Sequence, residues 1–166
     1  MLRHMATSLR ILPLLVSLAV PLLSCASVTG RTTAPAAVPM SVLPVLGSHL
    51  PFPVGSQHLE MTAAASLDPA CHVSVGDVVF TVAVAPDGSV KYISTADRSF
   101  TTPEGIHVGS PIVQVRSVGA SDPLPEAGWG FYARLPSGWY AGFVNGESLS
   151  EPPLPSDAVV RWLFKR

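Results

Sequence analysis

Histidines at 4, 49, 58, 72 and 107 and cysteines at 25 and 71 are the residues best suited to metal or nucleophile chemistry. Cys71-His72 with His107 can be written as a metal triad, but neighbouring side chains on a strand point to opposite faces. No C-x-x-C or H-x-x-x-H spacing supports a metal site, so no metal and no cofactor is expected. The chain also lacks a G-x-S-x-G elbow, a phosphate loop and a dinucleotide fingerprint. Its acids mostly sit beside turn residues: Asp77 follows Gly76, Asp87 precedes Gly88 and Asp122 precedes Pro123. Turn chemistry accounts for these without a functional role.

Two groups of residues remain as candidates. The stretch Thr95–Gly105, TADRSFTTPEG, holds Asp97, Arg98 and Glu104. A long polar connection is where functional residues often sit; the competing explanation is a local ion pair with turn capping. The second group is aromatic: Trp129, Phe131, Tyr132, Trp139, Tyr140 and Phe143. Alternation along strands sends Phe131, Trp139 and Phe143 to one face and Tyr132 and Tyr140, near Arg134, to the other. Tyr and Trp are enriched at binding hot spots, so Tyr132 and Tyr140 are the candidate binding residues of that face.

The elements that position these residues are mainly strands. Phe80, Val82 and Val84 alternate with Val79, Thr81 and Ala83, and Pro86-Asp87-Gly88 then leads into SVKYIST. Pro presets the first turn position and Gly accepts the left-handed one, which predicts a hairpin. The device recurs where 130–135 meets Pro136-Ser137-Gly138 and then WYAGFV. A last strand fits 158–164, with Val160, Trp162 and Phe164 sharing a face. Between the hairpins, Ser110 before Pro111 reads as an N-cap with Pro at the first helical position. Ile112 and Val115 would then face the sheet, although the β-branched residues there also fit a strand. The expected fold class is α+β: a small, mostly antiparallel sheet of two hairpins and a C-terminal strand, with one short helix.

Ahead of residue 58 the chain has a different character. Residues 1–10 are positively charged, residues 11–23 (ILPLLVSLAVPLL) are apolar, and Ser24-Cys25-Ala26 are small. That order is a secretory signal peptide, and the apolar run is too short for a membrane-spanning helix of roughly 20 residues. Leu22-Leu23-Ser24-Cys25 resembles the lipobox of bacterial lipoprotein precursors. The resemblance implies that Cys25 becomes the acylated first residue of the mature chain; the other cut consistent with the sequence lies after Ala26. Multiple acyl chains anchor stably where one holds only marginally. From 26 to 57, prolines at 35, 39, 44, 51 and 53 break helix and strand alike. The segment reads as a Pro-rich tether whose Val42, Leu43, Val45, Leu46 and Phe52 would dock on the domain or on another protein. The resulting organisation is a signal peptide over 1–24, a lipidated Cys and tether over 25–57, and one α+β domain over 58–166. With Cys25 acylated or removed, Cys71 has no partner in the mature chain, and reads as a buried small hydrophobe or as a thiol able to pair between chains.

Charge narrows the partners. A cut before Cys25 removes Arg3 and Arg10 from ten Lys and Arg but none of the eleven Asp and Glu, leaving a net charge of −3. Nucleic-acid binders carry a basic stripe instead, so no nucleic-acid partner is expected. Arg161, Lys165 and Arg166 form a small basic cluster, read as a solvated strand end. The phrase FTTPEGIHVGS with the helix after it is similar to openings in small envelope domains of the assembly-lipoprotein and β-lactamase-inhibitor-like families. There a Gly–small step opens a helix over a sheet. Of the helix exit in those families, Val118-Gly119-Ala120 matches only the Gly, and no functional residue carries over. The expectation is an exported bacterial envelope lipoprotein, facing the periplasm or in the outer membrane. Its partners would be the membrane, through the lipid anchor, and an envelope protein or wall component. The alternative is a small hydrolase using acids of the 97–104 loop.

Overall fold

The computed structural model describes residues 37–52, 58–145 and 152–166, all within one unit, Ala34–Arg166. The signal peptide and Cys25 lie outside the described residues. Among the described residues the protein is a β-rich domain with a single short helix. Its strands are β1 (Val38–Met40), β2 (His58–Ala63), β3 (Ser66–Val75), β4 (Val78–Val84), β5 (Val90–Thr95), β6 (Leu124–Glu126), β7 (Gly130–Arg134), β8 (Tyr140–Phe143) and β9 (Trp162–Lys165). The helix α1 spans Ile112–Ser117. The strands form one sheet in the order β1-β3-β4-β5-β9-β8-β7-β6, with β2 also paired to β3. Among the described residues that makes nine strands, where periodicity had pointed to five; β1, β2, β3 and β6 are the additions.

Local chemistry sets the turns. The Gly88 amide donates to the Ala85 carbonyl at 2.9 Å, and Gly88 has φ of 84°. The Gly138 amide donates to Leu135 at 3.0 Å with φ of 82°. Both are left-handed positions that a residue with a Cβ resists. β4 pairs antiparallel with β5, and β7 with β8. β9 then fills the space between the two pairs, with Ser94 opposite Phe164 and Ala141 opposite Leu163.

One face of this sheet carries the aliphatic core. Cys71, Val73, Phe80, Val82, Ile93, Phe131, Ala133, Ala141, Phe143 and Leu163 are buried there, covered by Ile112 and Val115 of α1 and by Ile106 and Val160. Cys71 is thus a core residue, and burial pushes its thiol up from the ordinary value.

Three expectations are corrected. The stretch read as tether contributes a strand, β1, which pairs parallel with β3; Leu43, Leu46 and Phe52 dock on the domain, one of the two placements expected of them, and Leu50 packs there as well. Prolines stop a run of secondary structure but do not stop apolar side chains from docking. Val42 and Val45 remain exposed. The helix begins one residue later than its sequence signal, with extended Pro111 at the cap position. Ser110 serves the preceding turn instead: its hydroxyl accepts from the His107 amide at 3.1 Å. The first helical amide, of Ile112, is satisfied by the Ala158 carbonyl at 2.9 Å. Finally, Val160 lies in the aliphatic core while Trp162 and Phe164 lie on the opposite face. Strand β9 starts only at Trp162, so the alternation does not extend back to Val160.

Candidate functional site

The second face of the sheet is aromatic. Tyr92 from β5, Phe164 from β9 and Trp129 from the β6–β7 turn are buried, and Tyr132, Tyr140 and Trp162 pack half-buried around them. Phe164 is the hub. It stacks with Tyr140 at 4.9 Å and Tyr92 at 5.8 Å between ring centroids, and meets Trp129 edge-on at 4.7 Å. Gly142, opposite Trp162 in the ladder, makes this packing possible. A Cβ there would collide with Cε2, Cδ2 and Cζ2 of the Trp162 ring. Cδ2 and Cε2 are the carbons shared by both indole rings, which only a face-on approach reaches. Trp162 therefore lies flat on the strand at Gly142. The Arg166 guanidinium sits 4.7 Å from the Trp129 ring centroid and 4.8 Å from that of Tyr132, within cation–π range.

The sheet curls around this cluster. The β2–β3 turn reaches across to β6, where the Ala64 amide donates to Glu126 Oε1 at 2.7 Å. Glu126 Oε2 takes the Arg166 guanidinium at 2.7 Å. Arg166 above all, with the Ala64 amide, holds the Glu126 carboxyl below the usual carboxylate range against the opposing effect of burial. These contacts latch the first strands of the sheet to the last.

Inside the curl lies a cleft of about 410 Å³. Glu60 and Met61 of β2 line one side, Trp129 and Trp162 another, and His72, Thr81, Tyr92 and Ser94 are among the residues between them. His58 stacks on His72 with centroids 4.7 Å apart and approaches Glu60 at 3.6 Å. Burial pushes the Glu60 carboxyl up, partly offset by His58. Burial, with the neighbouring His58 in support, pushes the His72 imidazole down. Burial also pushes the Tyr92 hydroxyl far up. The cleft therefore combines aromatic surface with a carboxylate, an imidazole and several hydroxyls. Glu60 is its only carboxylate among the described residues.

The residues singled out in the sequence are distributed differently. Asp97 Oδ1 accepts from the amide and hydroxyl of Ser99 at 2.9 and 2.7 Å, and these bonds, the amide first, hold its carboxyl low. Its partner is thus Ser99 rather than Arg98, which is exposed. Glu104 accepts from the amide and hydroxyl of Ser137 and so caps the β7–β8 turn. Burial works against its charge, but the Ser137 bonds prevail and its carboxyl is lowered. His107 lies beside Ser110, its Nδ1 3.2 Å from the hydroxyl. None of these residues lines the cleft. Tyr132 and Tyr140 lie on the aromatic face, 5.7 Å apart, and form part of its packing beside the cleft. That face is mostly packed, with Tyr92, Trp129 and Phe164 buried. The C-terminal basic cluster is only partly solvated: Arg166 lies over rings and Lys165 Nζ is 5.1 Å from the Trp139 ring centroid.

Sequence reasoning missed Glu60, His72, Tyr92, Trp129 and Trp162 as a group. Period two along β3 to β5 puts His72, Thr81 and Ser94 on one face, but only the strand order brings β9 beside β5. No family model matches the chain, and neither a curated protein nor a solved structure matches it.

Proposed function

We propose that this protein is an exported, lipid-anchored binding domain of the bacterial envelope, non-catalytic, with its ligand taken at the aromatic face. The observation that carries the binding half of this reading is the cleft inside the curl: aromatic rings with convergent polar groups are the usual make-up of a small-ligand site. The hydrolase alternative draws less support, because Asp97 and Glu104 are engaged by Ser99 and Ser137 as turn caps. A depressed carboxylate in such a role is a poor general acid near neutral pH. Export and anchoring rest on the signal-like start and the lipobox-like Leu22–Cys25.

The test takes the full chain expressed in a bacterial host. Mass spectrometry of the mature protein is expected to find an acylated Cys25 as its first residue; an unmodified chain beginning at Ser27 overturns the anchor. The detergent-purified chain is expected to co-sediment with isolated wall and envelope material. Failure to be retained by either overturns the binding role.

A further inference from the structure

We propose that the cleft between Glu60 and Trp162 binds a neutral sugar ring of a glycan. This deepens the binding-domain reading and rests on it. A pyranose presents C–H groups on one face and hydroxyls around its rim, so it needs an apolar plate and hydrogen-bonding groups disposed about it. Trp162 supplies the plate. Gly142 lets the indole lie flat against the strand, and Trp162 lines the cleft. Glu60, His72, Thr81 and Ser94 supply the rim. The carboxylate accepts hydrogen bonds only, while the hydroxyls both donate and accept, which suits a ligand whose own groups are hydroxyls.

Charge discriminates against the other classes of small ligand. No Lys or Arg lines the cleft among the described residues, and Glu60 faces into it, so a phosphate or carboxylate ligand meets repulsion. A cationic ligand finds the faces of Trp129 and Tyr132 already taken by Arg166 and would have to use Trp162, the outcome that the choline titration tests. A second cation on the Trp129 and Tyr132 faces would feel the Arg166 charge. A neutral, hydroxyl-rich ring meets neither penalty. Hydrolysis of such a ligand is a different matter, because glycosidases work with two carboxylates flanking the bond. With Glu60 as the single carboxylate in the lining among the described residues, the cleft is built to hold a sugar rather than to cut it.

The experiment titrates the detergent-solubilised full chain with cellotriose and the trimer of N-acetylglucosamine, following tryptophan fluorescence, with choline and inorganic phosphate as the competing classes. A saturable change with at least one of the sugars and none with choline or phosphate is expected. In E60Q the sugar affinity should fall roughly tenfold, as for loss of a charge-assisted hydrogen bond. W162F, which keeps a smaller ring, should weaken binding as well, and thermal melts of both variants establish that they are folded. Saturable binding of choline or phosphate in place of sugar overturns the assignment, as does no response to either sugar. Sugar binding unchanged in both folded variants places the site elsewhere and overturns it too. A chain retained on envelope material but blind to the sugars loses this inference alone. A chain that binds the sugars but is not retained loses the envelope role and keeps the cleft.

Discussion

The two faces of the sheet are built from different materials and closed in different ways. The aliphatic face is covered by α1, by the 96–111 connection and by the 38–52 segment, and its residues from Val73 to Leu163 have almost no exposure. Branched aliphatic side chains interdigitate densely and leave few voids. The aromatic face holds larger, flatter groups, several of them meeting edge to face. Rings at such angles pack well where they touch and leave wedge-shaped gaps where they do not. That face is closed by the curl of the sheet and the polar latch at Glu126, and beside the rings it keeps a cleft. One face secures the fold, while the other retains room for a ligand.

The largest effect should come from the aliphatic face. Phe143 is completely buried opposite Phe131, and Phe143→Ala should cost about 3–5 kcal/mol, as large-to-small core changes do. Tyr140 is half-buried and its ring stacks on Phe164. Its replacement by Ala should cost about 1–2 kcal/mol, the stacking plus part of the area. Urea denaturation of both variants measures the difference. Equal losses would mean that the aromatic face is as integral to stability as the core, and the contrast would fail.

The latch gives a smaller effect with a pH signature. Glu126 is lowered in the folded state, chiefly by Arg166, and Asp68 chiefly by the Thr62 hydroxyl with Lys91 in support. Groups with folded values below their unfolded ones, near 4, contribute stability that is present above about pH 4 and lost as pH falls through the folded values. His72, lowered by burial, behaves the same way from about 6.5 downward. Glu60, raised by burial, has the opposite sign: its contribution is present below about 4.3 and lost as pH rises through its folded value. Between neutral pH and about 5 His72 and Glu60 therefore act with opposite signs, and melting temperature should fall below about 4 as the lowered carboxylates protonate. Glu126→Gln should cost about 1–2 kcal/mol at pH 7 and reduce the acid-dependent loss. A melting curve with unchanged acid dependence in that variant would remove the latch from the account.

The same contrast governs what could be read from the sequence. Alternation assigned Phe131, Trp139 and Phe143 to one face and Tyr132 and Tyr140 to the other, because within a strand the pleat alone decides the side. It failed at Val160, where the chain is not yet a strand. The apolar character of Leu43, Leu46 and Phe52 marked them as docking residues, but alternation gave no sign that the same stretch adds the parallel strand β1. The cleft was illegible for a different reason. Glu60 and Trp162 are far apart in sequence and meet only because the sheet curls and β9 inserts beside β5. A strand shows its own period but carries no mark of its eventual neighbour. Nothing in the string WYAGFV distinguishes Gly142, whose role as the seat of an indole depends on the register that sets it opposite Trp162.

The smallest effect concerns the turn that closes the curl. Ala65, in the β2–β3 turn beside the Ala64–Glu126 bond, has φ of 58°, the one non-glycine residue with positive φ among those described. The left-handed region costs a residue with a Cβ roughly 1–2 kcal/mol relative to glycine. Ala65→Gly removes that strain in the folded state but also frees the unfolded chain, which costs about 0.4–1 kcal/mol. The balance is a gain of up to about 1.6 kcal/mol, centred on about 0.8, visible as a higher urea midpoint at unchanged m-value. Phe143 belongs to the aliphatic core and not to the turn or its Glu126 contact, so the gain should be the same in the Phe143→Ala background. In Glu126→Gln it should shrink, because the strain is held in place by a turn docked on β6. A full gain in the Glu126→Gln background would show that the turn keeps its shape without the latch, and the aromatic face would then be closed by its rings alone.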